Sequence, residues 1–376
     1  MYKIGIFGGT FNPVHNEHVN IAKNAVEELN LDTLYVMPTF ISPHKSSVPA
    51  SETDRLNMLK LAFRGTDKIK VSDYEILKGG KSYTYLTVEH FKEKYDCELY
   101  FICGGDMLVD FKTWKNPDRI LNACNLAVFD RKDFNVDYPS ERTYFSDTFN
   151  KSFIKLNYIG KEDSSTKIRI YSSFGLDITA FTPKNVAEYI KENNLYKPDT
   201  YTEFAKDNLT EKRLIHTANV VVTALSMAKR NNLDPEKVRI SATLHDCAKY
   251  LDYKKYPGFV MDGELKAPVV HAFLGAYIAE NVLKITDSEI IDAIKYHTSG
   301  RPEMSDLEKL IFVADMVCED RDYEGVEKLR YYFNNYDLNT CFKECLKEEM
   351  IHLKNKKTDI YNLTLSAYNY YIEGKD

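Results

Sequence analysis

The stretch GIFGGTFNPVHNEHV at residues 5–19 decides the fold of the first half of the chain. A short apolar run ends in a pair of glycines, and a segment with helical spacing follows a few residues later. A strand, a glycine-rich turn and a helix in that order are typical of the start of a parallel α/β sheet. The turn is neither a Walker A loop nor a GxGxxG loop, because the required spacings are absent.

Two histidines give this stretch its chemistry. His15 and His18 are three residues apart, so they share one face near the start of the predicted helix. The free N–H groups and the dipole of a helix N-terminus attract phosphate. No cysteine lies nearby and the HExxH pattern is absent, which favours a phosphate site over a metal site.

The pattern continues outward from this stretch through the first half. Apolar strand-like runs, YKIGIFGG, TLYVMP, CELYFICGGD and NLAVFDR, alternate with helical segments. This alternation predicts a Rossmann-like parallel sheet with both faces covered. TPKNVAEYIKENNLY is a predicted helix with Thr182 as its N-cap and Pro183 in its first turn.

The second half has a different pattern. The polar stretch KPDTYTEFAKDN has no clear period and marks the boundary between domains at 1–197 and 203–376. Beyond it, apolar residues recur almost only at helical spacing, which predicts an all-α bundle. Within that bundle, His245 and Asp246 are adjacent on a predicted helix.

Four further residues fall on other helical segments of the second half: His216, His271, His297 and Asp315. One histidine or aspartate per helix, all directed inward, is the way helical bundles build metal sites. Mixed histidine and carboxylate ligation suits iron, manganese or similar ions, and the residues alone do not choose between them. The second half is therefore expected to bind divalent metal ions.

Composition sets limits on partners and location. The chain has 376 residues and a net charge of −6, so nothing in its overall charge draws it to nucleic acid. No run approaches the roughly 18 apolar residues of a membrane span, and the N-terminus lacks the core of a signal peptide. Seven cysteines, an odd number, are typical of packed thiols in a reducing compartment. These features predict a cytoplasmic protein with no membrane partner, and they leave homo-oligomerisation open.

Five ordered motifs in the first half resemble those of bacterial nicotinate-nucleotide adenylyltransferases of the HxGH nucleotidyltransferase superfamily. The motifs are GGTFNPVHNEHV, SPHK (42–45), KSYTYLTV (81–88), GGDMLVDFKTW (104–114) and SSTKIR (164–169). The resemblance implies transfer of AMP from ATP to nicotinate mononucleotide, with Mg²⁺ accompanying ATP and with deamido-NAD and pyrophosphate as products. The chain departs from the usual motifs at four positions: Asn12, Glu17 in place of the HxGH glycine, Leu86 and Lys115.

The same resemblance implies roles for individual residues. The catalytic residues are His15, His18, Lys45 and Arg169. ATP and its phosphates would be bound by Gly8, Gly9, Thr10, Phe11, Ser165 and Thr166. The nicotinate nucleotide would be bound by Thr84, Asp106 and Trp114. Because the nucleophile and the leaving group are both phosphates, positioning and charge stabilisation suffice for this transfer.

Motifs in the second half, among them RLIHT, LHDCAKY and YHTSGRP, resemble bacterial HD-domain hydrolases that cleave diadenosine tetraphosphate symmetrically into two ADP. By that resemblance one metal is held by His216, His245, Asp246 and Asp315. Asp246 would bridge to a second metal on His271 and His297. Polyphosphate would be bound by Lys249, Arg301 and Arg321.

Two alternatives stay open at this stage. The first half has the chemistry of a general nucleotidyltransferase, so another nucleotide is a candidate substrate. Independently of the first half, another nucleotide is a candidate substrate for the HD half, and a nucleotide-binding regulatory module without turnover is the other candidate role for it.

Overall fold

The structure, a computed structural model, describes residues 1–41, 49–132, 135–161, 164–260, 267–357 and 359–374. The chain divides into two compact units. The first comprises Met1–Ser172 and Asp177–Tyr196, and the second comprises Ser173–Leu176 and Lys197–Asp376. Among the residues described, no helix combines the length and the apolar character that crossing a bilayer requires.

The first unit is built on a six-stranded parallel sheet. Its strands are β1 (Tyr2–Gly9), β2 (Thr33–Pro38), β3 (Ile69–Val71), β4 (Cys97–Gly104), β5 (Asn125–Arg131) and β6 (Phe153–Gly160). Their order across the sheet is β3-β2-β1-β4-β5-β6, and every neighbouring pair is parallel. The order reverses between β1 and β4, which is where parallel α/β sheets bind ligands at the carboxyl ends of the strands.

Helices connect these strands. They are α1 (Asn16–Glu28), α2 (Glu52–Ala62), α3 (Tyr74–Lys78), α4 (Thr84–Lys94), α5 (Gly105–Val109), α6 (Pro117–Ala123), α7 (Tyr138–Phe149), α8 (Ser165–Ser173) and α9 (Lys184–Glu192). The predicted α/β architecture of the first half is confirmed. One detail is wrong: Pro183 rather than Thr182 caps α9, because the Thr182 hydroxyl donates to the carbonyl of Val14.

The central strands are apolar and buried over most of their length because helices cover both faces of the sheet. In β1, Ile4 and Ile6 are fully buried. Gly5 lies between them, where a Cβ atom would come 2.6 Å from the Leu31 side chain and 2.7 Å from that of Leu34. The first glycine of the opening motif is therefore required by packing between strands, not by a ligand.

The second unit is helical, as predicted. Its helices are α10 (Thr200–Asn208), α11 (Glu211–Ala228), α12 (Pro235–Leu244), α13 (Ala267–Asn281), α14 (Ser288–Tyr296), α15 (Asp306–Val317), α16 (Val326–Asn335), α17 (Leu338–Asn355) and α18 (Asn362–Tyr368). No strand occurs in the part of this unit that the structure describes. Much of the core lies along α11, α12 and α15, each of which buries residues on several faces.

Helix α10 occupies the polar stretch in which the sequence shows no period. Asp199 caps it by accepting a hydrogen bond from the backbone N–H of Thr202 at 2.8 Å. Arg239 of α12 forms a 2.6 Å ion pair with the same aspartate. The helix therefore depends on a cap and a tertiary ion pair rather than on an apolar stripe, which is why hydrophobic periodicity does not reveal it.

Candidate active sites

The loop between β1 and α1 is held by side chains from distant parts of the chain. Four of its carbonyl groups accept hydrogen bonds, at Thr10 from Arg55 (2.9 Å), Asn12 from Arg169 (2.8 Å), Pro13 from Ser165 (2.9 Å) and Val14 from Thr182 (2.8 Å). The hydroxyl of Tyr196 also donates to the Asn12 side chain at 2.7 Å. Because its carbonyls are satisfied in this way, the loop is preorganised in one conformation.

His15 and His18 form a reciprocal cap at the start of α1. The His15 Nδ1 accepts from the His18 backbone N–H at 3.4 Å, and the His18 Nδ1 accepts from the His15 backbone N–H at 3.2 Å. The two rings stack with their centroids 3.5 Å apart. Burial lowers the pKa of His15 to about 3, and the Arg131 charge adds to that shift. His15 is therefore neutral, and in both rings the Nε2 atom carries the proton and is the donor.

The other predicted phosphate ligands lie around this loop. Ser165 and Arg169 belong to α8, and the second Arg169 nitrogen, Nη2, donates to the Thr166 hydroxyl at 3.0 Å. A Cβ atom at Gly9 would lie 3.0 Å from the Phe11 ring, so that glycine makes room for the aromatic side chain. Lys45, the remaining predicted catalytic residue, lies outside the described residues.

The predicted nicotinate-nucleotide residues follow β4 and begin α4. Asp106 lies just after β4, 3.7 Å from Arg131 across an ion pair. Trp114 packs against Phe101 and Phe111, and the next residue, Lys115, lies 4.7 Å from the Tyr83 ring. Since Thr84 follows Tyr83, the segments that carry Thr84 and Trp114 lie side by side.

Several contributors to this region were missed by the sequence analysis. Arg131 ends β5 at the same edge of the sheet as the histidines, a position from which it could have been found. Arg55 is 1% exposed and braces the loop from α2. Glu17 is 3% exposed, and neither of its carboxylate oxygens has a hydrogen-bond partner among the described residues.

In the second unit the six predicted metal ligands converge. His216 Nε2 lies 2.9 Å from an Asp315 oxygen, and His245 Nε2 lies 3.7 Å from an oxygen of Asp246 and 4.0 Å from one of Asp315. On the other side of Asp246, its Oδ1 lies 2.9 Å from His271 and 3.7 Å from His297. The predicted ligand atoms form three overlapping groups, each within 4.8 Å: His216, His245 and Asp246; His245, His297 and Asp315; Asp246, His271 and His297. Among the described residues a fourth such group joins His216 to Cys318 and Asp320, which the sequence did not predict.

The hydrogen bonds around these ligands direct their lone pairs inward. The Nδ1 atoms of His245 and His297 each lie 2.7 Å from a backbone carbonyl oxygen, that of Ala242 and Ile294 respectively. A proton held at Nδ1 leaves Nε2 unprotonated, as metal ligation requires. Burial lowers the pKa of His245 to about 3, so that ring is neutral.

A metal ion fits this set of donors. His216 Nε2, His245 Nε2 and Asp246 Oδ1 are buried and have no properly aligned hydrogen-bond partner in the described part of the chain. Burying such groups without a partner costs free energy, and a shared cation would satisfy all three. Asp246 and Asp315 each have a pKa well below the usual value: burial would raise it, but the surrounding histidines together with Lys249 outweigh burial at Asp246, and Arg321 with His216 does so at Asp315.

The cations predicted to bind polyphosphate have different surroundings. Lys249 lies 3.3 Å from Asp246, and Arg321 forms an ion pair with Asp315. Arg301 instead pairs with the buried Glu308 at 2.7 Å. A further cation, Arg213, donates to Asp246 at 2.7 Å. Sequence reasoning missed Arg213, although its place three residues before His216 puts it on the same face of α11.

Comparisons with known proteins agree with the families predicted for both halves of the chain. Residues 6–170 match the cytidylyltransferase-like family model, and residues 213–320 match that of the HD domain. A Mycoplasma genitalium protein is 31% identical over 332 residues, covering 86% of this chain and 89% of its own length. It is described as a probable nicotinate-nucleotide adenylyltransferase/Ap4A hydrolase.

Two further comparisons each cover about half of the chain. A Clostridium botulinum protein, described as a probable nicotinate-nucleotide adenylyltransferase, is 40% identical over 201 residues, which is 53% of this chain and all of that protein. A solved structure from Clostridium acetobutylicum, of a predicted HD superfamily hydrolase involved in NAD metabolism, is 34% identical. It covers 47% of this chain and 97% of its own, with a TM-score of 0.44.

Fold, sites and comparisons define a two-domain enzyme, a nucleotidyltransferase followed by an HD-domain hydrolase. More narrowly, the chain belongs to the family of bifunctional nicotinate-nucleotide adenylyltransferase/Ap4A hydrolase proteins. An HD domain implies that divalent metal is bound in the second unit, and the six converging residues include groups that could hold it.

Proposed function

We propose that the chain carries out two reactions. Residues 1–197 transfer AMP from ATP to nicotinate mononucleotide, which yields deamido-NAD and pyrophosphate. Residues 203–376 hydrolyse diadenosine tetraphosphate with one water to two ADP. The observation that carries this proposal is the relative whose similarity runs through both units and whose name joins both activities.

For adenylyl transfer, the chain supplies position and charge. The Nδ1 atoms of His15 and His18 are used in the cap of α1, which leaves their Nε2 atoms as the donors to phosphate oxygens. Arg169 and Lys45 supply positive charge to the same phosphates, and Thr84, Asp106 and Trp114 hold the pyridine nucleotide. Mg²⁺ bound to ATP would neutralise the triphosphate, held mostly by phosphate oxygens and water. No side chain needs to form a covalent bond, since the attacking phosphate is already an anion.

For hydrolysis, the six converging residues hold divalent metal, with iron favoured and manganese as the alternative. Such ions supply a Lewis acid for the attacked phosphate and activate water. The chain itself fixes the histidine rings through their Nδ1 atoms and surrounds the site with the cations Arg213, Lys249 and Arg321. These cations favour a polyphosphate over a neutral ligand.

The test uses the purified full chain with both sets of substrates. With ATP, Mg²⁺ and nicotinate mononucleotide, we expect deamido-NAD by chromatography, and at least tenfold less product from nicotinamide mononucleotide. With diadenosine tetraphosphate and Mn²⁺ or Fe²⁺, we expect ADP alone. A mixture of AMP and ATP would contradict symmetrical cleavage, and binding without turnover would favour a regulatory module.

A paired variant separates the two sites. Changing His245→Ala together with Asp246→Ala removes two metal ligands from the second unit and none of the groups assigned to adenylyl transfer. Hydrolysis should fall below detection while adenylyl transfer stays within about twofold of the unchanged chain. Loss of both activities in a folded variant would contradict the assignment of two separate sites.

A further inference from the structure

His216 differs from His245 and His297 in the group that holds its Nδ1 atom. Its Nδ1 lies 2.9 Å from an Asp320 carboxylate oxygen. Asn219, one turn along α11, donates to the other Asp320 oxygen at 2.9 Å. At His245 and His297 the corresponding partner is a backbone carbonyl, which carries no net charge.

The charge of that partner affects the ligand. An imidazole whose Nδ1–H donates to a carboxylate is held in one tautomer and becomes a more basic metal ligand at Nε2. His216 is therefore held by an anion, unlike His245 and His297. His216, His245 and Asp246 lie within 4.8 Å of one another and Asp315 lies 2.9 Å from His216, so the four residues of this position are two histidines and two carboxylates.

The other position is poorer in negative charge. It consists of His271, His297 and the shared Asp246. The Lys249 ammonium lies 3.1 Å from His271 Nε2 and 3.3 Å from Asp246 Oδ1. Cations border the first position as well, where Arg213 donates to Asp246 and Arg321 pairs with Asp315, so the two positions differ in their carboxylates rather than in their neighbouring cations.

We propose that Asp320 is a positioning residue that orients His216 and makes it a more basic metal ligand. As a result, the position that contains His216, His245, Asp246 and Asp315 binds metal more tightly than the position that contains His271 and His297. Metal then occupies the His216 position first and the His271–His297 position second. The proposal rests on the metal-binding role proposed for the HD domain, but not on which nucleotide that domain cleaves.

The test measures binding of Mn²⁺ alone to the full chain, from which metal has been stripped, by calorimetry and by electron paramagnetic resonance of free Mn²⁺. The unchanged chain should bind in two phases. Asp320→Asn keeps the shape and a hydrogen-bond acceptor but removes the charge, and it should weaken the tighter phase by about 10–100-fold. The weaker phase should change by less than about threefold.

Asp322→Asn is the matched control, because it removes the same charge from an exposed residue two positions away. Its two phases should equal those of the unchanged chain. A tight phase that is unaffected in D320N, or weakened equally in D322N, would overturn the proposal. Two equal phases in the unchanged chain would also overturn it.

If circular dichroism shows that D320N has lost helical content, a second variant tests the proposal instead. Asn219→Ala keeps the carboxylate but removes its support, so the tight phase should weaken in the same direction by a smaller factor. An unchanged tight phase in N219A would then count against the proposal. If Mn²⁺ binds as described but diadenosine tetraphosphate is not cleaved, the proposed reaction fails while the role of Asp320 stands.

Discussion

His15 shows how burial makes an ordinarily titratable residue a fixed donor. Its pKa is lowered by burial to about 3, whereas in the unfolded chain it is near 6.5. The unfolded state therefore binds more protons between these values, and the stability of the first unit must fall as the pH falls through this window. At pH 5 the loss relative to pH 7 should be about 2 kcal/mol.

The single tryptophan makes this measurable. Trp114 belongs to the first unit, so its fluorescence during urea unfolding reports on that unit. His15→Asn retains an N-cap acceptor but cannot titrate, and the difference between pH 7 and pH 5 should shrink by about 2 kcal/mol in it. Equal pH dependence in both proteins would show that His15 titrates at its ordinary pKa.

Glu17 is the departure from the HxGH pattern that the sequence displays but does not explain. Its carboxylate is buried and has no hydrogen-bond partner among the described residues, an arrangement that costs free energy. Glu17→Met should therefore raise the free energy of unfolding of the first unit by about 1–3 kcal/mol, measured with Trp114 fluorescence.

Glu28 provides the comparison on the same helix. Its carboxylate accepts hydrogen bonds from the backbone N–H groups of Asn157 and Tyr158, at 2.7 and 3.1 Å. Glu28→Met should lower stability, opposite in sign to E17M. If E17M is also destabilising, Glu17 has a favourable partner that this structure does not show.

At the scale of elements, the sequence predicts the strands and helices whose buried residues form one local apolar run or period. β1, β2, β4 and β5 are continuous apolar runs, and each is a strand. Helix α10 escapes prediction because its stability comes from Asp199 and from Arg239, about 40 residues away. A single sequence does not show such a pairing, because nothing local marks the partner.

Arg301, a residue of a predicted site, likewise has a partner that the sequence does not reveal. The motif YHTSGRP suggested a polyphosphate ligand, but the structure pairs this arginine with Glu308, whose side chain is 1% exposed. Arg301→Met would leave that carboxylate buried without a paired cation, although the Ser305 backbone N–H still donates to it, so the second unit should lose up to about 3–5 kcal/mol of stability. Urea unfolding followed by circular dichroism measures the loss, with Trp114 fluorescence recorded in parallel to identify the transition of the first unit.

The double variant Arg301→Met with Glu308→Met separates the two roles. If the arginine neutralises Glu308, removing both charges should restore most of the lost stability. An R301M protein with unchanged unfolding and a raised KM for diadenosine tetraphosphate would instead show that Arg301 binds substrate.

At the scale of the whole molecule, both sites are built from residues far apart in sequence. The motifs identify His15, His18 and the six metal ligands by residue type and order. They do not identify Arg55, Tyr196 or Arg213, whose roles arise only when distant segments pack together. The sequence therefore predicts the functional residues that lie together in a motif. It does not predict the residues that support those motifs from distant parts of the fold.

The two units also differ in how they relate to metal, which gives a prediction for the intact chain. In the part of the chain that the structure describes, every group of three potential ligands lies in the second unit. The first unit would receive Mg²⁺ with ATP. Stripping the protein with a strong chelator and returning Mg²⁺ alone should restore adenylyl transfer fully but leave hydrolysis below about a tenth of its initial rate.

Adding Mn²⁺ or Fe²⁺ to the same sample should then restore hydrolysis without changing adenylyl transfer by more than about twofold. The reason is chemical: histidine-rich sites bind these ions far better than they bind Mg²⁺, which prefers oxygen ligands and retains its water. Full hydrolysis with Mg²⁺ alone would mean that the six converging residues do not determine which metal the second unit uses.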